Sequence, residues 1–330
     1  MSIDYKHILE ELDQLIARVD SLKARQAREI ETMLAAESEM DTLFWRAIHR
    51  HAGRGSLADA KREFFLSMPP ASGDLRILQQ ALTILLVELD RICRLNGITY
   101  FLSEGTLLGA NRHKGFIPWD DDVDVFMLRD EVGKLIRAMK GNTKFSLRIF
   151  LANVPQYIRI VRFAYNDERL HDRQCFVDIF LLDWVRDTSD DTWKKYLNLR
   201  NRLSGEFVEM RDRGEPPADI LALLTEKYAE IFKAELNPRQ SGNALCWGWD
   251  NFTFGFKRIN EYDFVFPLAE VEFEGHRFPA PKNPERYSLW RYGDWLSMPR
   301  SMMRRHAKLT KGLVDILKEK IDRYGDAGRG

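Results

Sequence analysis

The chain has 330 residues, of which 45% are hydrophobic and 12% aromatic, enough to bury a sizeable core. Fifty Lys and Arg residues balance fifty Asp and Glu residues, so the formal net charge is zero. This balance argues against a disordered chain and against nucleic acid as a partner, because nucleic-acid-binding proteins usually carry a basic excess. At about 150 residues per domain, the length predicts two domains.

The cysteines and the apolar segments indicate the compartment. Cys93, Cys175 and Cys246 are far apart and form neither a disulfide framework nor a C-x-x-C zinc motif. The N-terminal residues lack the apolar segment of a signal peptide, and the longest apolar run, residues 81–89, is too short to span a bilayer. We therefore expect no transmembrane segment and a cytoplasmic protein, free or peripheral at the inner face of the membrane.

Residues 1–40 are predicted to form one helix with the 4-3 apolar spacing of a coiled coil. The apolar seam weakens at Gln26 and Glu29, and its members are Ile8, Leu12, Leu15, Val19 and Leu22. Two interpretations stay open: a helix that lies on its own domain, or one that self-associates or binds a protein partner. The breaker-rich segments GRGS and MPPASG predict a looser stretch over residues 53–73. We assign residues 1–70 to a helical extension and residues 71–330 to the main domain.

The main domain begins with a predicted helix over residues 74–95, and helices and strands then alternate. The predicted strands are 99–102, 123–127, 145–151, 157–165 and 175–182, with a hairpin over 271–278. The predicted helices are 131–140, 191–213, 216–236 and a basic C-terminal helix, with a turn or short helix at 105–112. This order predicts an α/β fold with a mixed sheet.

The segment from Trp119 to Val125 contains four aspartates in five positions. In a strand that begins at Val123, Asp122 and Asp124 lie on one face. Neighbouring carboxylates repel each other unless a cation lies between them, and Mg²⁺ prefers such oxygen ligands. The alternative is a solvated acidic loop, but the alternating apolar residues that follow favour a strand. Asp120 and Asp121 either position the metal ligands or are solvated.

Three further features surround the aspartates in the sequence. Gly105 and Thr106 follow a strand, where the backbone N–H groups of a turn can bind phosphate oxygens. A basic tripeptide, Arg112-His113-Lys114, suits a polyanionic substrate, although a surface basic cluster is the alternative. Asp178 lies in the middle of an apolar strand, where an unpaired carboxylate would cost several kcal/mol, so it requires a metal, a cation or an exposed rim.

Together these elements resemble the nucleotidyltransferase superfamily pattern: a glycine turn, an Asp-x-Asp strand and a later strand with one aspartate. More closely, the chain resembles the LicD family, which includes bacterial phosphocholine transferases and fukutin-related alditol-phosphate transferases. The resemblance covers residues 75–310 and is carried by GTLLGANRHKGFIPWDDDVDVFMLRDE, FVDIFLLDWV and residues 256–299. Glu104 and Leu182 depart from the family pattern, which usually has a small residue and often a proline there.

The resemblance implies a polymerase-beta-like nucleotidyltransferase core. It implies transfer of a phospho-alcohol group from a CDP-activated donor to a glycan hydroxyl, with release of CMP. The acceptor would be a lipopolysaccharide, a capsule or a teichoic-acid-like polymer. The implied catalytic residues, which also hold Mg²⁺ or Mn²⁺, are Asp122, Asp124 and Asp178. The implied donor-binding residues are Gly105, Thr106, Arg112, His113 and Lys114.

Two other functions remain open, namely nucleotidyl transfer from an NTP and a non-catalytic role through the N-terminal helix. Three features have two interpretations each. Arg129 either reaches the donor or stabilises local structure. The basic run over residues 300–311 either binds an anionic glycan or a membrane surface, or is a solvated helix face. The aromatic stretch over residues 247–256 either stacks on a sugar or base, or packs in the core, and we favour the core.

Overall fold

The computed structural model describes residues 5–53, 55–151, 159–170, 174–234, 244–248, 259–298 and 308–325. The chain divides into two compact units, the first formed by Met1–Phe65 with Leu296–Arg300 and the second by Leu66–Trp295 with Ser301–Gly330. The assignment of residues 1–70 as an extension stays a prediction. Within the described ranges, no helix is long and apolar enough to cross a membrane.

The first unit contains helix α1 (Tyr5–Ala52) and most of helix α2 (Leu57–Ser67). α1 is 48 residues long and therefore continues past the predicted end at residue 40. Near its C-terminus, Trp45 is 2% exposed and contacts Phe64 and Phe65, with ring centroids 5.3 and 5.6 Å apart. This aromatic contact joins α1 to α2.

α2 corrects the prediction of a loose stretch over residues 53–73. The Ser56 backbone N–H donates to Asp59 Oδ2 at 2.9 Å, and the Asp59 backbone N–H donates to Ser56 Oγ at 3.2 Å. This reciprocal arrangement is a capping box, which satisfies backbone donors at the start of a helix. The glycines and prolines of the segment therefore flank a helix and do not form one continuous loop.

The second unit is a mixed α/β fold, as predicted. Its strands are β1 (Tyr100–Leu102), β2 (Val123–Leu128), β3 (Phe145–Leu151), β4 (Arg159–Tyr165), β5 (Phe176–Val185), β6 (Ala244–Trp247), β7 (Ile259–Glu261), β8 (Ala269–Phe273) and β9 (His276–Ala280). Its helices are α3 (Gly73–Leu95), α4 (Glu104–His113), α5 (Val132–Ala138), α6 (Asp190–Asp212), α7 (Pro217–Ala234), α8 (Tyr262–Val265), α9 (Pro284–Tyr292) and α10 (Lys311–Tyr324). The sequence did not predict β6, β7, α8 and α9, which are three to nine residues long and too short to show a clear period.

A seven-stranded sheet has the order β1-β2-β5-β4-β3, and β6 extends it by pairing with β5 and β7. β2 and β5 are parallel, whereas the other strand pairs are antiparallel. In both strands the residues near the start alternate between buried and half-buried, and the later residues are buried. The half-buried aspartates Asp124 and Asp178 therefore lie near the starts of the two parallel strands, and Asp183 of β5 is buried further along.

Helix α3 contributes a face of leucines to the core of the sheet, including Leu78, Leu82 and Leu85, each at most 1% exposed. α10 packs against α3. The Tyr324 ring at the end of α10 stacks on Tyr165 of β4, with centroids 5.9 Å apart. The C-terminal helix is thus part of the main core.

The aromatic stretch over residues 247–256 is described only at its start. Trp247 is 7% exposed, and its ring centroid lies 5.3 Å from those of Phe126 and Phe180. At Trp247 the prediction of core packing is confirmed. Residues 249–258, and residues 300–307 of the basic run, lie outside the described residues.

A buried ion pair joins the ends of β2 and β5. Arg129 donates from Nε to Asp183 Oδ1 at 2.6 Å and from Nη2 to Asp183 Oδ2 at 3.0 Å. The two side chains are 9% and 0% exposed. This bidentate contact agrees with the interpretation in which Arg129 stabilises local structure.

Asp183→Ala is expected to lower the free energy of unfolding by about 3–5 kcal/mol, because it leaves the guanidinium of Arg129 buried without this carboxylate. Urea denaturation measures the change. The matched control is Asp212→Ala, since Asp212 pairs with Arg211 on the surface, where the side chains are 63% and 52% exposed. We expect that control to cost less than about 1 kcal/mol. Equal effects in the two variants would contradict the prediction.

Candidate active site

The centre of the candidate site is the parallel pairing of β2 with β5. In this register Asp124 lies directly opposite Asp178, and each residue is half-buried. The flanking residues Val123, Val125 and Val177 are fully buried. The apolar residues therefore fix the two strands in the core and place two carboxylates side by side, as the alternating pattern predicts.

Hydrogen bonds join the turn between β1 and α4 to the backbone of Asp124. The Thr106 hydroxyl accepts a hydrogen bond from the Asp124 N–H at 2.9 Å, and the Ser103 N–H donates to the Asp124 carbonyl at 3.1 Å. Thr106 is 2% exposed. These contacts bring the first turn of α4, with its unpaired backbone N–H groups, next to the carboxylates.

The aspartates before β2 form a compact acidic cluster. Carboxylate oxygens of Asp120, Asp121 and Asp122 all lie within 4.8 Å of one another. No other set of three acidic, histidine or cysteine side chains meets this spacing within the described ranges. Such a set of hard oxygen donors fits a divalent cation. The predicted set of Asp122, Asp124 and Asp178 shares Asp122 with this cluster but does not itself meet the spacing.

A hydrogen bond from α3 holds the loop that carries the acidic cluster. Gln79, which is fully buried, donates from Nε2 to the carbonyl of Asp120 at 3.0 Å. On the other side, the Asp120 carboxylate lies against Gly105, where an added Cβ would be 2.9 Å from Oδ2. Gly105 therefore permits the acidic cluster to approach the start of α4 closely.

The electrostatics of the site reflect this crowding. Burial raises the pKa of the Asp124 carboxyl well above its ordinary value, and the charges of Asp122 and Asp178 raise it further. The site therefore concentrates negative charge to an extent that favours uptake of a cation.

Asp178 has a cationic partner that the sequence did not predict. Arg162 lies opposite Asp178 on β4 and donates from Nε to its Oδ1 at 2.8 Å. The guanidinium of Arg162 also lies 3.6 Å from the ring centroid of Phe176. Since Arg162 is fixed by both contacts, it sets the orientation of the Asp178 carboxylate. Alternation along β4 would have placed Arg162 on this face, but only the register of the sheet shows which residue it meets.

Glu104 begins α4 in a left-handed backbone conformation, with φ of +42°. This region favours glycine, which explains why a small residue suits the position. Arg291 of α9 binds the Glu104 carboxylate through Nε at 2.9 Å and through Nη2. Glu104, which the resemblance predicts to depart from the family pattern, therefore has a partner of opposite charge.

The predicted donor-binding residues fall into two groups. Gly105 and Thr106 lie in the first turn of α4 beside the carboxylates, although the Thr106 hydroxyl is engaged by Asp124. Arg112 is only 4% exposed and donates to the carbonyl of Trp295 at 3.1 Å, which gives it a structural contact. His113 is half-buried near Trp119, and Lys114 is exposed at the end of α4. A donor contact by any of these five residues stays a prediction.

The β8–β9 hairpin supports the loop from a distant part of the sequence. Its turn residue Glu274 accepts a hydrogen bond from the Phe116 N–H at 3.1 Å and binds Arg76 of α3 at 2.7 Å. Gly115 lies against this carboxylate, and Gly109 lies against the Gly115 carbonyl, so that a Cβ at either glycine would be 2.5 Å from an oxygen. Gly109 is therefore required by the close approach of two backbone segments, whereas a Cβ at Gly115 would displace the Glu274 carboxylate from its hydrogen bonds.

Comparison with known proteins identifies the family. The profile described as LicD/FKTN/FKRP, nucleotidyltransferase domain, matches residues 97–209. The lipopolysaccharide cholinephosphotransferase LicD of Haemophilus influenzae is 36% identical over 227 residues, which cover 63% of this chain and 86% of that protein. The human ribitol 5-phosphate transferase FKRP is 51% identical over 37 residues, 11% of this chain and 8% of that protein. Since the match to the Haemophilus protein spans most of its length, this chain belongs to the LicD family.

Proposed function

We propose that this chain transfers a phospho-alcohol group from a CDP-activated donor to a hydroxyl of a cell-surface glycan and releases CMP. The observation that carries the proposal is the meeting of the acidic cluster, the Asp124–Asp178 pair and the start of α4. The relatives with assigned activities, a cholinephosphotransferase and a ribitol 5-phosphate transferase, both transfer substituted phosphate groups. The name of the Haemophilus relative favours lipopolysaccharide as the acceptor.

The carboxylates imply a divalent cation. A diphosphate cannot approach this many negative charges unless they are neutralised, and Mg²⁺ or Mn²⁺ suits oxygen donors. Asp122, Asp124 and Asp178 would hold the ion, and Asp120 and Asp121 lie close enough to Asp122 to contribute. When bound, the ion neutralises charge on the pyrophosphate and on the departing CMP.

The remaining residues position the reactants. The backbone N–H groups at Gly105 and Thr106 would bind phosphate oxygens, because a helix N-terminus favours negative charge. Asp178 would accept the proton of the attacking glycan hydroxyl or orient that hydroxyl for in-line attack. Arg162 fixes Asp178 and is a positioning residue. Arg112, His113 and Lys114 are proposed to contact the donor directly or to shape its binding loop.

The reaction is tested by incubating the chain with Mg²⁺ or Mn²⁺ and a panel of CDP-donors and, separately, NTPs, with and without lipopolysaccharide. We expect acceptor-dependent CMP release from one donor of the panel, CDP-choline or a CDP-alditol. Release of pyrophosphate from an NTP would replace the proposal with nucleotidyl transfer. An absence of product from all donors and acceptors would favour a non-catalytic role.

Asp122→Asn and Asp124→Asn are each expected to lower the rate of CMP release by about 100-fold or more, the scale of losing one preorganised electrostatic contact to the transition state. Circular dichroism checks that the variants fold. The control is Asp191→Asn, since Asp191 is 87% exposed in the first turn of α6. Unchanged turnover in both site variants would exclude the metal assignment.

Arg162→Leu is expected to reduce kcat by about tenfold or more with a smaller change in the KM for the donor, because Asp178 acts on the acceptor hydroxyl. Arg162→Lys should recover part of the rate, since it retains a cation beside Asp178. If Arg162 had only a structural role, both variants would be less thermally stable, and kcat would not fall by a larger factor than KM changes.

A further inference from the structure

Helix α1 exposes a long apolar stripe. Leu15, Val19, Leu22, Met33 and Met40 are 58%, 46%, 59%, 64% and 71% exposed. Exposed apolar surface of this extent, arranged along one line, marks an interaction surface.

The stripe follows a single heptad register through most of the helix. The 4-3 spacing that reaches Gln26 and Glu29 continues beyond them at Met33, Ala36 and Met40. The two polar residues therefore interrupt the seam without ending it. With 48 residues, α1 is about 72 Å long, enough for several heptads.

We propose that α1 pairs with α1 of a second copy of this chain in an antiparallel, two-stranded coiled coil. In an antiparallel pair, position a of one helix faces position d of the other. When Gln26 faces Glu29 of the second copy, the two polar residues meet at the twofold axis. The apolar residues then face one another: Leu22 faces Met33, Val19 faces Ala36 and Leu15 faces Met40.

The flanking charges support the same register. Beside the seam, Arg18 faces Glu39 of the second copy, and twofold symmetry repeats this attractive pair. In a parallel, in-register pair, Arg18 would face Lys23 and the two Glu29 carboxylates would face each other in the seam. Both contacts would be repulsive, so the charges favour the antiparallel arrangement.

Glu29 also has a cationic neighbour on its own helix. Arg25 Nε lies 3.0 Å from Glu29 Oε1, one turn away. The Glu29 carboxylate can therefore lie in the seam while it stays paired with Arg25. In that position it can also accept a hydrogen bond from the Gln26 amide of the second copy. This pairing lowers the cost of a charge at a seam position.

Substitutions at Arg18 and Glu39 test whether the two copies pair in this register. We expect the full-length chain to be dimeric in light scattering. Arg18→Glu and Glu39→Arg should each weaken the dimer by about tenfold, since each variant makes two attractive pairs repulsive. The double variant should restore wild-type affinity. Arg28→Glu is the matched control, because it makes the same charge change on the outer, exposed face of α1. Sedimentation equilibrium measures the dissociation constants.

Cysteine cross-linking tests the orientation. We expect the double variant Leu22→Cys with Met33→Cys to form an oxidised dimer, whereas each single variant does not. The natural cysteines do not compete, because all three are buried, and burial raises the pKa of Cys93 to about 12. A monomer at every concentration would overturn the proposal. A dimer strengthened by Arg18→Glu, or cross-linked by Leu22→Cys alone, would overturn the antiparallel arrangement.

Discussion

Mutual repulsion among carboxylates is the constraint around which the second unit is arranged. Asp120, Asp121 and Asp122 bring their oxygens within 4.8 Å, and Asp124 faces Asp178 across two paired strands. Such crowding is unfavourable without a cation, so the backbone must be held firmly. The hydrogen bonds of Thr106 and Ser103 to Asp124, and of Gln79 to Asp120, provide that restraint. Part of the stability of the core is thereby used to hold these carboxylates close together.

Residues far along the chain complete the site. Arg291 of α9 binds Glu104 at the start of α4, and Asn111 of α4 donates to Ser288 Oγ at 2.8 Å. Glu274 of the hairpin holds the loop at Phe116. Glu104 and its partner therefore lie beside the first turn of α4, the turn that we propose to bind phosphate.

The sequence predicted the strands β2 and β5 and the aspartates upon them because alternation of buried and polar residues is a local signal. It could not predict Arg162 as the partner of Asp178, since that contact depends on the antiparallel register of β4. Nor did it predict the role of Gln79, a polar residue within an apolar helix face. The sequence also did not predict that Arg112 is buried. The basic tripeptide indicates an exposed phosphate contact, but the contact with the carbonyl of Trp295, in the loop after α9, depends on the tertiary fold.

The packing of α10 against α3, with Tyr324 stacked on Tyr165, has a consequence for synthesis of the protein. α3 is made early, but part of its surface is covered only after residues 311–324 leave the ribosome. The parallel pairing of β2 with β5 also waits for the more than forty residues that lie between the two strands. Contacts between such distant segments form slowly and cannot form before the later segment exists. The acidic site is therefore completed only after the hairpin and α9, which follow it in the sequence, have been synthesised.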